Sequence, residues 1–137
     1  MYPIELVTPM AKELTEFGFK GLQTPTDVDD AMKLEGTTMV VVNSVCGCAA
    51  ANARPGAKLA IEHDHKPDNL VTVFAGVDRE ATEKAREYML PYPPSSPAIA
   101  LFKDGKLVHF LERHHIEGRS AMIIADNLKM AFDRYCS

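Results

Sequence analysis

The fold of this chain is decided by one stretch of its sequence, Thr38-Met39-Val40-Val41-Val42-Asn43-Ser44-Val45-Cys46-Gly47-Cys48. The β-branched run before Asn43 predicts a strand that is buried on both faces. The Ala-rich segment from Ala49 to His63 then predicts a helix, so the two cysteines lie where a strand passes into a helix. A helix N-terminus presents free N–H groups and a partial positive charge, which stabilise a thiolate. This position therefore predicts thiol–disulfide chemistry.

The segments after this stretch predict an α/β fold. Further strands are expected over Leu70 to Val77, Ala98 to Lys103 and Lys106 to Glu112, the last two joined by an Asp-Gly turn. Helical patterns follow over Glu80 to Met89 and Ala121 to Tyr135. Two β-α-β steps, a hairpin and a final helix predict a single domain over residues 1–137, with a central mixed sheet and helices on both faces.

The first 36 residues, 1–36, predict a helical extension of this domain. One helix is expected from Pro9 to Phe17 with Thr8 as its N-cap, because proline suits the first helical position. A second helix is expected to begin at Thr26, since Thr26 followed by Asp29 fits a capping box.

Composition and charge exclude several classes of function. The formal charge of −4 and the lack of any run of Lys and Arg argue against nucleic acid as a partner. No apolar stretch approaches the roughly 20 residues that span a bilayer, and the N-terminus becomes polar too early for a signal peptide. Three cysteines are too few, and an odd number, for a disulfide-stapled secreted fold. We therefore expect a cytoplasmic protein with neither membrane nor nucleic-acid partners.

The spacing of the cysteines predicts how they share the chemistry. A disulfide across one residue is strained, because a relaxed bridge needs Cα atoms about 5.5 Å apart together with a torsion near ±90°, which are hard to meet across one residue. Strain makes the bridge easier to reduce. Cys46, ahead of the helix, is expected to be the more exposed thiol and the nucleophile, and Cys48 to resolve the mixed disulfide. Gly47 leaves room for an incoming sulfur and lets the turn adopt unusual dihedral angles. Cys136, near the chain end, is expected to take no part.

Two segments resemble a known family. The first is similar to the active-site segment of the bacilliredoxins, thioredoxin-like proteins with a Cys-Gly-Cys motif: Asn43-Ser44-Val45-Cys46-Gly47-Cys48-Ala49-Ala50, continued by Ala53-Arg54-Pro55. The second resembles another recognisable stretch of that family: Pro93-Pro94-Ser95-Ser96-Pro97-Ala98-Ile99-Ala100-Leu101-Phe102-Lys103-Asp104-Gly105, followed by Glu112-Arg113-His114. The resemblance extends over nearly the whole chain.

This resemblance implies a thioredoxin-like fold and the removal of bacillithiol from S-bacillithiolated cytosolic proteins. The expected partners are S-bacillithiolated or disulfide-bearing proteins and bacillithiol itself. It implies that Cys46 attacks the protein–bacillithiol disulfide and takes up bacillithiol, a co-substrate and not a bound cofactor, and that Cys48 resolves the product. The Ser96–Pro97 bond is expected to be cis, to lie beside the nucleophile and to present backbone to the substrate, which Gly47 is also expected to contact. Arg54, about two turns beyond Cys46, is expected to lower the pKa of that thiol, to hold a bacillithiol carboxylate, or to be a solvated helix residue.

Two other functions stay open on the sequence. The strained Cys46–Cys48 couple also suits a general protein disulfide isomerase or oxidant. The same thiols are soft metal ligands, and a metal-binding module would add imidazoles from His63, His65, His114 or His115. These histidines lie in polar stretches that favour solvent-facing rings, and no Cys-x2-Cys pair with structural-zinc spacing accompanies them. We therefore predict no metal ligands.

Overall fold

The computed structural model describes residues 2–136 and shows a five-stranded mixed sheet in the order β1-β3-β2-β4-β5. Its strands are β1 (Lys20–Gly21), β2 (Thr37–Asn43), β3 (Asn69–Phe74), β4 (Ala98–Lys103) and β5 (Lys106–Leu111). β2 lies at the centre, parallel to β3 and antiparallel to β4. Within the described residues, no helix combines the length and the apolar character needed to cross a membrane.

Helices cover both faces of this sheet, which confirms the predicted α/β architecture. They are α1 (Ile4–Thr15), α2 (Pro25–Met32), α3 (Arg54–Ala60), α4 (Arg79–Tyr88), α5 (Arg113–Ile116) and α6 (Ala121–Tyr135), with a π-helical turn, Ala49–Ala53, directly before α3. Residues of α1, α3 and α6 share one hydrophobic core with the sheet, and residues of α2 and α4 share another.

The β-branched run of β2 contributes side chains to both hydrophobic cores. Met39 and Val41 point into the core beneath α3 and α6, whereas Val40 and Val42 point into the core beneath α2 and α4. All four side chains are at most 1% exposed. Burial of one such side chain stabilises a fold by about 1.5–3 kcal/mol. The continuous apolar pattern is thus explained by a central strand with a core on each side.

The register of the sheet brings the cysteines and the proline-rich loop to the same edge. Val42 near the end of β2 is paired with Ala98 at the start of β4. Because the two strands are antiparallel, the chain that leaves β2 toward Cys46 and the chain that enters β4 through Pro97 lie side by side.

The first helix differs from its prediction. α1 begins at Ile4, with Pro3 as its N-cap, so Pro9 lies inside the helix and not at its first position. An internal proline removes one backbone hydrogen bond. However, Val7 and Leu14 on the inner side of α1 are buried, and their packing holds the helix together. The prediction of a start at Pro9 was wrong because tertiary burial outweighs the local preference of proline.

The second helix begins earlier than predicted, because Thr24 and not Thr26 is its N-cap. The Thr24 hydroxyl accepts a hydrogen bond of 3.1 Å from the backbone N–H of Asp27. The Asp27 carboxylate in turn accepts one of 3.2 Å from the backbone N–H of Thr24. Pro25 then occupies the first helical position, where its missing N–H costs nothing.

Two short elements have no signal in the sequence. β1 pairs Lys20 with Val71 of β3, so the N-terminal segment supplies an edge strand in addition to two helices. α5 is a single turn, and its first backbone N–H, that of Arg113, donates a hydrogen bond of 2.7 Å to the Ser95 hydroxyl. Both elements are too short to show a periodicity, and their neighbours in space hold them in place.

We expect Gly56→Ala to destabilise the fold, because α3 and α6 approach closely at this residue. A Cβ atom on Gly56 would lie 2.7 Å from Cγ2 of Ile124. Such overpacking costs about 1–3 kcal/mol, and the better helix propensity of alanine returns at most about 1 kcal/mol. Urea unfolding should therefore show a lower free energy of unfolding, by up to about 2 kcal/mol.

Gly21→Ala is the matched control for this measurement. A Cβ atom there would meet only Cγ2 of Thr15, at an ordinary contact distance of 3.7 Å. Equal stability losses in the two variants would contradict the close packing of α3 on α6.

Candidate active site

The two cysteines of the motif lie together at the end of β2 and differ in exposure. Their Sγ atoms are 2.6 Å apart, and both residues are free thiols. Cys48 is 9% exposed, whereas Cys46 is half-buried and lines an open surface pocket of about 460 Å³. The prediction that Cys46 is the more accessible thiol is confirmed.

Backbone hydrogen bonds fix the position of the Cys46 sulfur. The Ser44 hydroxyl accepts a hydrogen bond of 3.2 Å from the Cys46 N–H, and the Cys46 carbonyl accepts one of 2.9 Å from the Ala49 N–H. The Cys48 N–H lies 3.4 Å from the Cys46 sulfur and donates to it. Gly47 is exposed, and a Cβ atom on it would meet nothing within 4 Å. The room beside the motif is therefore present, but the expected unusual dihedral angle is not, because the φ angle of Gly47 is not positive.

The chain after Cys48 forms a wide turn and not a regular α-helix. Cys48 is the N-cap of the π-helical turn, and the backbone N–H of Arg54 reaches back five residues to the carbonyl of Ala49. Pro55 follows at the start of α3. Because proline has no N–H to continue an α-helical pattern from the preceding turn, the sequence favours an irregularity at this point. Single π turns of this kind are frequent at functional sites.

Arg54 lies beneath the motif, which corrects the prediction that its guanidinium holds a ligand or is solvated. The residue is 2% exposed. Its Nη1 donates to Asn43 Oδ1 at 2.9 Å and to the Ser44 carbonyl at 3.0 Å. Its Nε lies 3.1 Å from Glu13 Oε2, an ion pair in which the N–H is not aligned for a hydrogen bond. Arg54 therefore connects β2, the motif loop and α1, and no part of it faces the pocket.

The electrostatics of the pair separate the two thiols. The hydrogen bond from the Cys48 side chain holds the pKa of Cys46 below its usual value, helped by the Cys48 N–H and by the positive charge of Arg113, while partial burial opposes them. Burial raises the pKa of Cys48, and its neighbour Cys46 raises it further. The half-buried thiol is thus the one that ionises first, which suits it to nucleophilic attack.

We expect Cys48→Ala to raise the pKa of Cys46, because this substitution removes the largest contribution that stabilises the Cys46 thiolate. The rate at which iodoacetamide alkylates Cys46, followed by peptide mass as a function of pH, should therefore rise at higher pH than in the wild type. Cys48→Ser, which keeps a donor in the same place, should show a smaller displacement. The same midpoint in all three proteins would contradict this assignment.

The loop before β4 contributes to the pocket on the other side. The Ser96–Pro97 bond is cis, as predicted. Ser96 lines the pocket together with Cys46, whereas Pro97 is buried behind it. The neighbouring Ser95 hydroxyl accepts the N–H of Arg113 and so connects this loop to α5.

Arg113 and Arg86 are pocket residues that the sequence did not single out. Both line the pocket with Cys46, Arg113 from α5 and Arg86 from α4. Arg113 lies in the Glu112-Arg113-His114 segment that carries part of the family resemblance, and this resemblance is the feature of the sequence that could have pointed to it. Arg86 belongs to an ordinary charged helix pattern, and only the fold shows that it faces the motif.

The histidines considered as metal ligands lie apart from the thiols. They form two clusters with carboxylates, His63 and His65 on Asp133, and His114 and His115 beside Glu112. Among residues 2–136, neither cluster includes a cysteine. The structure therefore gives no support to a metal site built on the cysteine pair and these imidazoles.

Comparison with known proteins identifies the family. A family model described as disulphide isomerase matches residues 2–136. A bacilliredoxin of Cytophaga hutchinsonii is 65% identical over 133 residues, which cover 97% of this chain and 98% of that relative. The chain belongs to the bacilliredoxin family. A second bacilliredoxin, from Halalkalibacterium halodurans, is 54% identical over 136 residues, which cover 98% of this chain and 94% of the relative.

Solved structures confirm the fold of this bacilliredoxin-family chain. A thioredoxin variant from Halobacterium salinarum aligns with a TM-score of 0.62 at 19% sequence identity, over 88% of this chain and 93% of that one. The predicted thioredoxin-like fold is therefore confirmed. Family and fold together make the chain a thiol–disulfide oxidoreductase.

Proposed function

We propose that this chain removes bacillithiol from S-bacillithiolated proteins in the cytoplasm, with Cys46 as the nucleophile and bacillithiol as a co-substrate. The observation that carries this proposal is the half-buried Cys46 thiol, which lines an open pocket with the Cys48 sulfur 2.6 Å behind it. The names of the bacilliredoxin relatives and the lowered pKa of Cys46 support it.

The proposed reaction consists of two thiol–disulfide exchanges. The Cys46 thiolate attacks the bacillithiol sulfur of the mixed disulfide, the new S–S bond forms, and the protein thiolate leaves and takes up a proton. Cys48 then loses its proton and attacks the Cys46 sulfur, so that bacillithiol leaves as a thiolate and a Cys46–Cys48 disulfide remains. A further low-molecular-weight thiol must reduce this disulfide before the next turnover.

The difference in pKa between the two thiols suits this order of events. Cys46 ionises first and is ready to attack. The raised pKa of Cys48 keeps it protonated, so it does not compete for the substrate disulfide. Because the Cys48 sulfur already lies beside Cys46, the second exchange needs no large movement of the backbone.

A general disulfide isomerase is the second candidate, favoured by the description of the matching family model. The two functions differ in substrate. Reduced chain is mixed with a bacillithiolated model protein and, separately, with a protein whose disulfides are scrambled, and intact masses and recovered activity are measured. De-bacillithiolation predicts loss of bacillithiol from the first substrate. Retention of bacillithiol together with recovery of the scrambled protein would replace the proposed function with isomerase activity.

A further inference from the structure

The pocket beside Cys46 contains two guanidinium groups and no carboxylate among its lining residues, all of which belong to the described chain. Arg86 comes from α4 and Arg113 from α5, on two elements that are far apart in the sequence. Both residues line the open pocket through which a substrate must approach the Cys46 sulfur. The pocket is therefore electropositive next to the reacting atom.

Arg86 has no ion-pair partner among the residues that the structure describes. Its side chain is half-buried, and its Nε atom is buried with no hydrogen-bond partner in the described residues. No ion pair within residues 2–136 includes it. The carboxylate of Glu83 on the same helix raises the pKa of Arg86 through its charge without forming an ion pair with it. Desolvation lowers its pKa, which shows that burial of this charge is unfavourable. A buried charge of this kind is costly unless a ligand or a partner neutralises it.

Arg113 differs from Arg86 because it is exposed and has a partner. Its Nε lies 3.4 Å from Glu117 Oε2, one turn further along the chain, an exposed pair that contributes little. The neighbouring sulfurs of Cys48 and Cys46 raise the pKa of Arg113, and its guanidinium is charged while Cys46 reacts. Arg113 thus helps to lower the pKa of Cys46, whereas Arg86 lines the same pocket from α4 with a half-buried side chain.

We propose that Arg86 and Arg113 form a binding site for the carboxylates of the low-molecular-weight thiol that Cys46 removes. This inference rests on the proposed function and names the groups that recognise its co-substrate. Bacillithiol is an anionic thiol that ends in a dicarboxylate, and the planar guanidinium fork matches a carboxylate with two parallel hydrogen bonds. Arg86 supplies the selectivity for the thiol, because it lines the pocket and its buried Nε has no hydrogen-bond partner in the described residues, which a carboxylate would provide.

The test compares two adducts of the same model protein, one with bacillithiol and one with the uncharged thiol mercaptoethanol. Arg86→Gln should lower kcat/KM for the bacillithiol adduct about 10- to 100-fold, the loss expected for hydrogen bonds to a charged group. The rate for the mercaptoethanol adduct should fall by much less, because this adduct carries no carboxylate for Arg86 to bind. Arg86→Lys, which keeps the charge, should recover part of the loss, and thermal unfolding shows whether each variant is folded.

Arg79→Gln is the matched control, because Arg79 is an exposed arginine of the same helix that does not line the pocket. It removes the same charge and should leave both rates unchanged. If Arg86→Gln slows both adducts equally, or slows neither, the inference is overturned. If the wild type removes mercaptoethanol but not bacillithiol, the proposed function fails instead.

A binding measurement tests the site without any reaction. Titration with L-malate, a free dicarboxylate, should shift the Arg86 Nε–Hε signal in nitrogen-15 NMR spectra until saturation, and Arg86→Gln should abolish the saturable shifts of neighbouring backbone amides. The absence of any shift in the wild type would overturn the site even if bacillithiol is removed.

Discussion

Cys48→Ser is expected to accumulate one bacillithiol on Cys46, whereas Cys46→Ser is expected to take up none and to leave the substrate modified. In Cys48→Ser the first exchange still takes place, but the sulfur that lies 2.6 Å behind Cys46 in the wild type is missing, so the mixed disulfide persists. In Cys46→Ser the hydroxyl does not ionise near neutral pH and is not a nucleophile for disulfides. Loss of a nucleophile of this kind lowers the rate at least about 1000-fold.

Intact mass spectrometry of each variant after mixing with a bacillithiolated protein distinguishes the two roles. Cys136→Ser serves as the matched control, since burial raises the pKa of Cys136 and it lies outside the pocket. It should behave as the wild type, which ends with an internal disulfide and free bacillithiol. Bacillithiol on Cys48 in the Cys46→Ser variant would show that Cys48 is the nucleophile and Cys46 the resolving thiol.

The expected division of roles does not follow from the spacing of the cysteines alone. Both thiols are in reach of each other, and either order of attack is chemically possible. The structure separates them because the carbonyl of Cys46 and the N–H of Cys48 are held by the turn that begins the π-helical segment. As a result, one sulfur faces the pocket and is stabilised as a thiolate, while the other is buried behind it.

The central part of the fold was predictable from sequence because its pattern is local and long. The run of β2 is apolar at every position from Met39 to Val42 and rich in β-branched residues, a pattern typical of a strand buried on both faces. The hairpin of β4 and β5 was predictable for the same reason, since an Asp-Gly turn separates two apolar runs. Cys46 and Cys48 stand out in the sequence as candidate site residues because few patterns place two thiols at the start of a helix.

The arginines of the site were not predictable in this way. Arg54 follows the motif at a helical spacing that suggests a solvent-facing or ligand-facing side chain. Its burial depends on Glu13 and Asn43, which come from α1 and β2 and lie at separations of 41 and 11 residues in the numbering. Arg86 is 40 residues from Cys46, and only the packing of α4 against the sheet brings it to the pocket. Contacts of this kind are properties of the tertiary structure.

Arg54→Met is expected to lower the free energy of unfolding by about 3 kcal/mol or more, since hydrogen bonds to a charged group contribute about 1.5–3 kcal/mol each. The substitution keeps an apolar chain of similar length in the space but removes both hydrogen bonds of Nη1. The Ser44 carbonyl then loses this hydrogen bond at a buried residue, which adds a desolvation penalty. Loss of the ion pair with Glu13 adds little to the decrease in the free energy of unfolding, because the Glu13 side chain is 38% exposed.

Urea unfolding measures this loss of stability, and two further variants serve as its controls. Arg79→Met removes an exposed arginine and should change the stability by less than about 0.5 kcal/mol. Arg54→Lys keeps the charge but cannot place one nitrogen on both oxygens with the same rigid geometry, so we expect it to recover only part of the stability. Full recovery by lysine would show that charge alone matters. A wild-type stability for Arg54→Met would mean that the motif loop does not depend on its buried guanidinium.

The same variant also tests how the scaffold supports the chemistry. The Ser44 hydroxyl accepts a hydrogen bond from the N–H of Cys46, and the Ser44 carbonyl accepts one from Arg54. The guanidinium is therefore connected to the nucleophilic residue through the two hydrogen bonds of Ser44. If Arg54 positions this loop, the folded Arg54→Met protein should alkylate at Cys46 with a broader pH dependence and a higher midpoint than the wild type, because the sulfur is no longer held against the Cys48 donors. An unchanged pH profile in a destabilised protein would restrict Arg54 to stability and leave the positioning of Cys46 to the turn itself.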